Sequence, residues 1–245
     1  MATHPSSFLT SRRASLALLG SAALLAACGS TGSPTTPDET LSAADLLALA
    51  SRRLAETPTV HFVLAIEGDT FIDSAGAIRL LGAEGDLQRP DRVQTTFQAE
   101  IMGRAVSLQL ITIGERSWTT DIITGEWNEA PLEFAYRPDI LFSTQDGIGP
   151  VMGRVDDVSR LPDEELDGQG VYRLRATVED TVVGPLTYFT ISGSPVTVDL
   201  WIGQETRNLL RAQLSEPPGA ERPNPAVWNL ELSHHGEEIE IEPPS

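Results

Sequence analysis

The stretch Val196-Thr197-Val198-Asp199-Leu200-Trp201-Ile202 places Val196, Val198, Leu200 and Ile202 at every second position, with Thr197, Asp199 and Trp201 between them. A period of two marks a strand, because successive side chains point to opposite faces of a sheet. The same alternation spreads outward in both directions. Downstream, Leu210, Ala212 and Leu214 face one way, with Leu209, Arg211 and Gln213 opposite. Then Trp228, Leu230 and Leu232 alternate with Asn229, Glu231 and Ser233. Upstream, Tyr172, Leu174, Ala176 and Val178 alternate with Arg173, Arg175 and Thr177. Val106, Leu108 and Leu110 continue the theme, following a turn at Gly103. Before that turn, Val93, Thr95, Phe97, Ala99 and Ile101 alternate with polar neighbours, and Val60, Phe62, Leu64 and Ile66 form the first such run. Glu84-Gly85-Asp86, Asp167-Gly168 and Gly203 read as turns between strands.

Helices are few. Ser42 caps an amphipathic helix over 42–56, with Asp45 three residues later in a capping-box arrangement and Ala43, Leu46, Leu47, Ala50 and Leu54 on one face. Arg137-Pro138-Asp139-Ile140 carries a helix-start signature. Ile148, Val151, Met152 and Val155 recur at helical spacing, in a piece that Pro150 keeps short. The expected fold is α+β, a long antiparallel meander of about 9–11 strands with one wet and one apolar face. So few helices cannot cover the whole apolar face, which points to a cavity beneath them.

The first residues are read as a processing signal. Arg12 and Arg13 precede the apolar run Ala14–Ala27, which is shorter than the roughly 20 residues needed to span a bilayer. It ends in Leu25-Ala26-Ala27-Cys28-Gly29, small residues before the chain's single cysteine, in the manner of a lipobox. Cys28 is therefore the expected site of lipidation, with acyl chains such as palmitate, and residues 1–27 the expected signal peptide. Ser11-Arg12-Arg13 with Leu16 is also similar to a twin-arginine signal, so Sec and Tat export both stay open. Residues 28–40 form a polar tether; the twelve after Cys28 reach roughly 40 Å when extended. Residues 41–245 form the one expected domain.

The chain has 17 basic residues, all arginine, against 35 acidic ones, for a net charge of −18. Removing Arg12 and Arg13 with the signal makes it −20. Such a surface repels nucleic acid and anionic headgroups. Membrane residence must then come from the anchor. Catalytic motifs are missing: there is no Gly-x-Ser-x-Gly elbow and no phosphate-cradling glycine loop. His61 reads as a surface or rim residue. His234 and His235 are adjacent and would point to opposite faces of a strand, a poor metal pair. Glu237, Glu238, Glu240 and Glu242 read as a solvated acidic tail, and Asp163, Glu164 and Glu165 as a turn. Trp118, Trp127, Trp201 and Trp228 read as core or rim residues. No enzyme, cofactor or metal is expected.

A set of short pieces in order resembles the LppX/LprG (LppX_LprAFG) lipoproteins of mycobacteria and other bacteria. They are Glu84-Gly85-Asp86 with Pro90, Gly103, Ser117-Trp118, Gly125-Glu126-Trp127, Gly147-Ile148-Gly149 with Val151 and Met152, and Leu166-Asp167-Gly168. The strongest is Val196–Ile202 leading to Glu205-Thr206 and Leu209-Leu210-Arg211. Leu230-Glu231-Leu232-Ser233, then Glu240-Ile241 and Pro243, complete the set. His234-His235-Gly236 departs from the family's usual acidic or aromatic stretch. The resemblance implies a curved antiparallel half-barrel covered by helices, like the LolA/LolB lipoprotein carriers. It implies an apolar cavity that holds acyl chains of a lipid or glycolipid as ligand, and their transport through the cell envelope. A membrane transporter is a candidate partner, and a monomer is expected, anchored on the extracellular or periplasmic face of the cell membrane. An envelope sensor or scaffold that binds a protein partner is the alternative. The cavity candidates are the apolar-stripe residues Phe62, Leu64, Ile66, Phe97, Ile101, Leu108, Val198 and Leu200.

Overall fold

The computed structural model describes residues 41–72, 75–130, 147–155, 157–187, 189–219 and 223–245. The signal, the tether with Cys28 and the helix-start signature at Arg137–Ile140 lie outside them. Helix α1 (Ala43–Glu56) precedes strands β1 (Thr59–Glu67), β2 (Ile78–Gln88), β3 (Arg92–Ile101), β4 (Arg104–Ile113), β5 (Arg116–Thr120) and β6 (Trp127–Glu129). The short helix α2 (Ile148–Gly153) leads into β7 (Ser159–Arg160), β8 (Glu164–Leu166) and β9 (Gln169–Val178). Helix α3 (Asp180–Val183) with a 3-10 turn (Gly184–Thr187) connects to β10 (Val196–Gly203), β11 (Leu209–Ser215) and β12 (Val227–Ser233). All strands join one open, curved sheet in the order β6-β5-β4-β3-β2-β1-β12-β11-β10-β9-β7, with β8 also on β9. Twelve strands exceed the nine to eleven expected because β6, β7 and β8 are two or three residues long, too short for a periodic signal. Every pairing is antiparallel.

Glu84-Gly85-Asp86 is not a turn but the middle of β2. Its glycine answers a different need. A Cβ on Gly85 would sit 2.1 Å from the Gln94 carbonyl oxygen, and one on Gly82 would sit 2.3 Å from that of Leu64. Neighbouring backbones approach β2 too closely for any side chain there. Asp163-Glu164-Glu165 is likewise no turn, since Glu164 and Glu165 belong to β8. True tight turns sit at Met102-Gly103 (φ 51° and 75°) and Asp167-Gly168 (φ 50° and 82°). Both are two-residue hairpin loops with positive φ at each position.

Ser42 caps α1 as expected, in a full capping box with Asp45. Leu46, Leu47, Ala50 and Leu54 are buried against the sheet and α2. Ser51 Oγ donates to the Gly149 carbonyl at 2.6 Å, and a Cβ on Gly149 would lie 3.0 Å from the Ser51 oxygen. Small residues let α1 and α2 touch. The C-terminus of α1 is held by Arg89, whose guanidinium donates to the Thr57 and Leu54 carbonyls. The acidic tail is strapped down rather than free. Carbonyls of Glu237, Ile239 and Ile241 accept hydrogen bonds from Thr59, Gln88 and Arg92, and the Ile241 side chain is buried. Contacts within Thr40–Ser245 make one compact unit, and every residue of its core lies inside it.

Candidate functional site

Registering the strands brings one apolar row straight across the concave face of the sheet. Leu108 pairs with Phe97, Phe97 with Ala83, Ala83 with Leu64, Leu64 with Leu230, Leu230 with Ala212, Ala212 with Leu200, and Leu200 with Leu174. Eight strands contribute to it. Two of its members are alanines, and Ala99 and Gly85 stand beside it, so the row is low in volume along its middle. The helices above do not fill the space. A cavity of about 740 Å³ lies between sheet and helices, roofed by Ile148, Val151 and Met152 of α2 and by Val183, Leu186 and Thr190 around α3.

Among the described residues no charged side chain lines this cavity. Its polar lining residues are Thr95, Thr119, Thr187, Thr190 and Trp228, whose Nε1 is buried. Three hydroxyls already donate inward to backbone: Thr95 to the Glu84 carbonyl, Thr187 to Val183 and Thr190 to Thr187. The cavity thus presents hydrocarbon to whatever enters it, and takes hold of nothing by charge. Chemically it can solvate an apolar chain and little else.

Seven of the eight residues singled out in the sequence stand on this wall: Phe62, Leu64, Phe97, Ile101, Leu108, Val198 and Leu200. Ile66 does not. It shares their face of β1 but is packed in the core, paired with Trp228 at the end of the strand. The sequence pattern missed the whole β2 contribution, Ile78, Leu80, Ala83 and Leu87. The register between β2 and β3 slips between Leu80 and Gly82. One extra residue moves the inward set from even to odd numbers, so no period of two runs through the strand. A switch of parity beside two glycines was the signal available.

The convex face is polar and cross-braced. Asp199 is buried and binds Arg175 through two hydrogen bonds of 2.7 Å each. Arg173 lies at 3.4 Å from the same carboxylate and reaches Glu164 at 2.5 Å. Burial pushes the Asp199 carboxyl up, but the two guanidiniums outweigh it and hold it below the usual carboxylate range. Trp201 Nε1 donates to Glu164, and the indole lies between Arg173 and Arg211. Trp118 carries Arg116 over its ring in the same way. These tryptophans brace the sheet's back, while Trp228 faces the cavity. His61, also outward, bonds Asp86 through Nδ1 at 2.8 Å and lies beside the His234 ring. His234 lies past the end of β12 with φ 49°, and His235 Nε2 meets the Leu209 carbonyl at 2.9 Å. Burial pushes the His235 pKa down, against that hydrogen bond. Among the described residues no three His, Cys, Asp or Glu side chains converge to hold a metal.

The model of the LppX_LprAFG lipoproteins matches residues 42–241, the whole of the sheet and its helices. The chain belongs to that family. Among its members, the chain is similar to the lipoarabinomannan carrier protein LprG of Mycolicibacterium smegmatis, 23% identical over 233 residues and 94% of each chain. The fold resembles the crystal structure of LprF from Mycobacterium bovis, with a TM-score of 0.67 at 18% identity, covering 83% of this chain and 97% of that one. It also resembles the lipoprotein LppX of Mycobacterium tuberculosis, with a TM-score of 0.59 at 15% identity, over 82% and 98%. The family's match begins at the helix cap Ser42 and runs to the buried Ile241 of the tail strap.

Proposed function

We propose that this chain is a lipid carrier of the cell envelope. It takes the acyl chains of a lipid or glycolipid into the cavity, leaves the headgroup at the mouth, and helps move the lipid through the envelope. Lipidated Cys28 anchors it to the cell membrane, on the extracellular or periplasmic side. The observation that carries this reading is the cavity itself, about 740 Å³ walled by hydrocarbon with no charged side chain among the described residues. Family membership supports it, as does a relative named as a lipoarabinomannan carrier.

The energetics fit the task. A chain of about sixteen methylenes is worth roughly 12 kcal/mol in transfer from water, so it does not cross water unaided. If a methylene fills the ~30 Å³ of a water molecule, the cavity accepts on the order of 25 of them, one long acyl chain or two of middling length. Non-directional contacts hold such a chain without a catalytic residue, cofactor or metal. The test is mass spectrometry of an organic extract from purified residues 41–245, which lack Cys28, together with uptake of a fluorescent fatty acid. Stoichiometric acyl lipid is expected. Finding none, with no uptake of the probe, overturns the reading.

A further inference from the structure

Sheet direction sorts the connections to two ends. Strands β1, β3, β5, β9 and β11 run one way and their neighbours the other, so five connections gather at one end: β1–β2, β3–β4, β5–β6, β9–β10 and β11–β12. The six exposed large apolar residues among those described all lie there. Phe71 and Ile72 are in the first connection, Met102 in the second, Ile122 and Ile123 in the third, and Phe189 in the fourth. Met102 is 91% exposed, Ile123 89% and Phe189 67%. At the opposite end the turns are Arg89-Pro90-Asp91, Gly114-Glu115, Asp167-Gly168 and Gln204–Asn208, with no such residue. Single exposed apolar residues are ordinary, but a set confined to one end is not scatter.

Two of the six tie the rim to the interior. Ile72 and Ile122 are more than half exposed and also line the cavity, so apolar surface runs unbroken from solvent into the pocket. This end is therefore the mouth. Among the described residues the charged side chains near it are Glu67, Asp69, Glu100, Asp121, Glu126, Glu179, Asp180 and the buried Glu216, against Arg79 and Arg104; Arg79 is paired with Glu100 at 2.8 Å. Charge cannot draw this end to an anionic surface.

We infer that the mouth-end connections dock the protein, mouth down, on a lipid bilayer, with Met102 and Ile123 of two hairpin loops and Phe189 of the connection that carries α3 entering the acyl boundary. The inference rests on the carrier reading above and names where loading takes place. Apolar tips on four separate connections, spread round an opening, suit a fluid surface that conforms to each. An acyl chain then slides from bilayer to cavity along Ile122 and Ile72 without meeting water. The twelve tether residues between Cys28 and Leu41 span at most roughly 40 Å, so an anchored domain never leaves that distance of the membrane. Insertion rather than charge makes the contact.

The test compares residues 41–245 with the triple variant M102N/I123S/F189N, whose three residues do not line the cavity. Asn suits the positive φ of Met102 and Phe189. Flotation with phosphatidylcholine vesicles reads docking, and uptake of a fluorescent fatty acid in vesicle-free solution reads the cavity. The domain should float with neutral vesicles. The variant should bind them at least about tenfold more weakly, with equal fatty-acid uptake and an unchanged circular dichroism spectrum. Equal flotation of the two proteins overturns the inference, as does no flotation of either. So does binding that needs phosphatidylglycerol and disappears in salt. A self-association lost in the variant, without vesicle binding, would assign the tips to a second copy and overturn it too. Vesicle docking with no fatty-acid uptake by either protein would leave docking intact and refute the carrier reading alone.

Discussion

Filling the cavity from its floor separates an open pocket from an ordinary core. Ala83 and Ala212 are buried, line the cavity, and sit in the transverse apolar row, on different strands. Changing either to Leu adds three carbons above the floor. At about 0.8 kcal/mol per buried methylene the gross gain is roughly 2.4 kcal/mol. Fixing the leucine rotamer costs ~0.5–1 kcal/mol, leaving ~1.5–2 kcal/mol per site. For a domain of this size that raises Tm by about 3–8 °C. The same carbons displace ligand. A double A83L/A212L variant excludes about six methylenes of an acyl chain, worth up to ~5 kcal/mol, so affinity falls by as much as about three orders of magnitude. Differential scanning calorimetry of the lipid-stripped domain reads the first effect, and fatty-acid titration the second. The two must move in opposite senses, more stable and less able to bind. If both variants melt lower while uptake is unchanged, the alanines are in a filled core, overpacking costs its usual ~1–3 kcal/mol, and the reasoning fails.

Three further outcomes follow from named contacts. Gly85→Ala forces a Cβ to 2.1 Å from the Gln94 carbonyl and 2.7 Å from Thr95 Cα, so it should lower stability by about 2–3 kcal/mol in urea unfolding, whereas a turn position would tolerate it. Asp199→Ala strips the buried partner from Arg175 and Arg173, both of which can still reach water; a loss of about 1–3 kcal/mol is expected with unchanged lipid uptake, since the pair is on the convex face. His235, whose burial pushes its pKa below 6.5 in the folded state, binds a proton more readily when unfolded. Its contribution is whole above pH about 6.5 and is lost as pH falls toward the folded value. Melting from pH 8 to 5 should therefore show a decline that His235→Gln reduces; parallel curves would refute it.

Several features were legible because they are local. The capping box of Ser42 and Asp45, the buried stripe of α1 and the alternation in β1, β3, β4, β9, β10 and β12 each follow from side chains a few residues apart. In β11 the expected inward residue Leu210 gives way to Leu209, because the register shifts opposite Trp201 and Ile202 and turns Leu209 inward with Ala212 and Leu214. Seven of the eight residues picked for the cavity wall stand on it for that reason, since inward parity within an unbroken strand needs no knowledge of the partner strand. The eighth, Ile66, has the right parity and the wrong height: where a stripe leaves the cavity and enters solid core depends on what lies above it. β2 was illegible because its register slip breaks parity, and its glycines answer to neighbours about ten to twenty residues away in sequence. The tail looked like solvated acid because its glutamates are exposed. Its backbone carbonyls do the holding, and no side-chain pattern records them.

By itself the sequence determined an antiparallel sheet with one apolar face, too few helices to cover it, and a strongly acidic composition. These are sums and periods, and they depend only on which residues occur and how they are spaced. The tertiary structure decided that the apolar face curves around about 740 Å³ of space instead of closing on it, and that the exposed apolar tips share the end where that space opens. Both depend on strand direction and on the height of one strand against the next. Those relations arise between segments far apart in the chain, where pairing geometry and not composition sets what faces what.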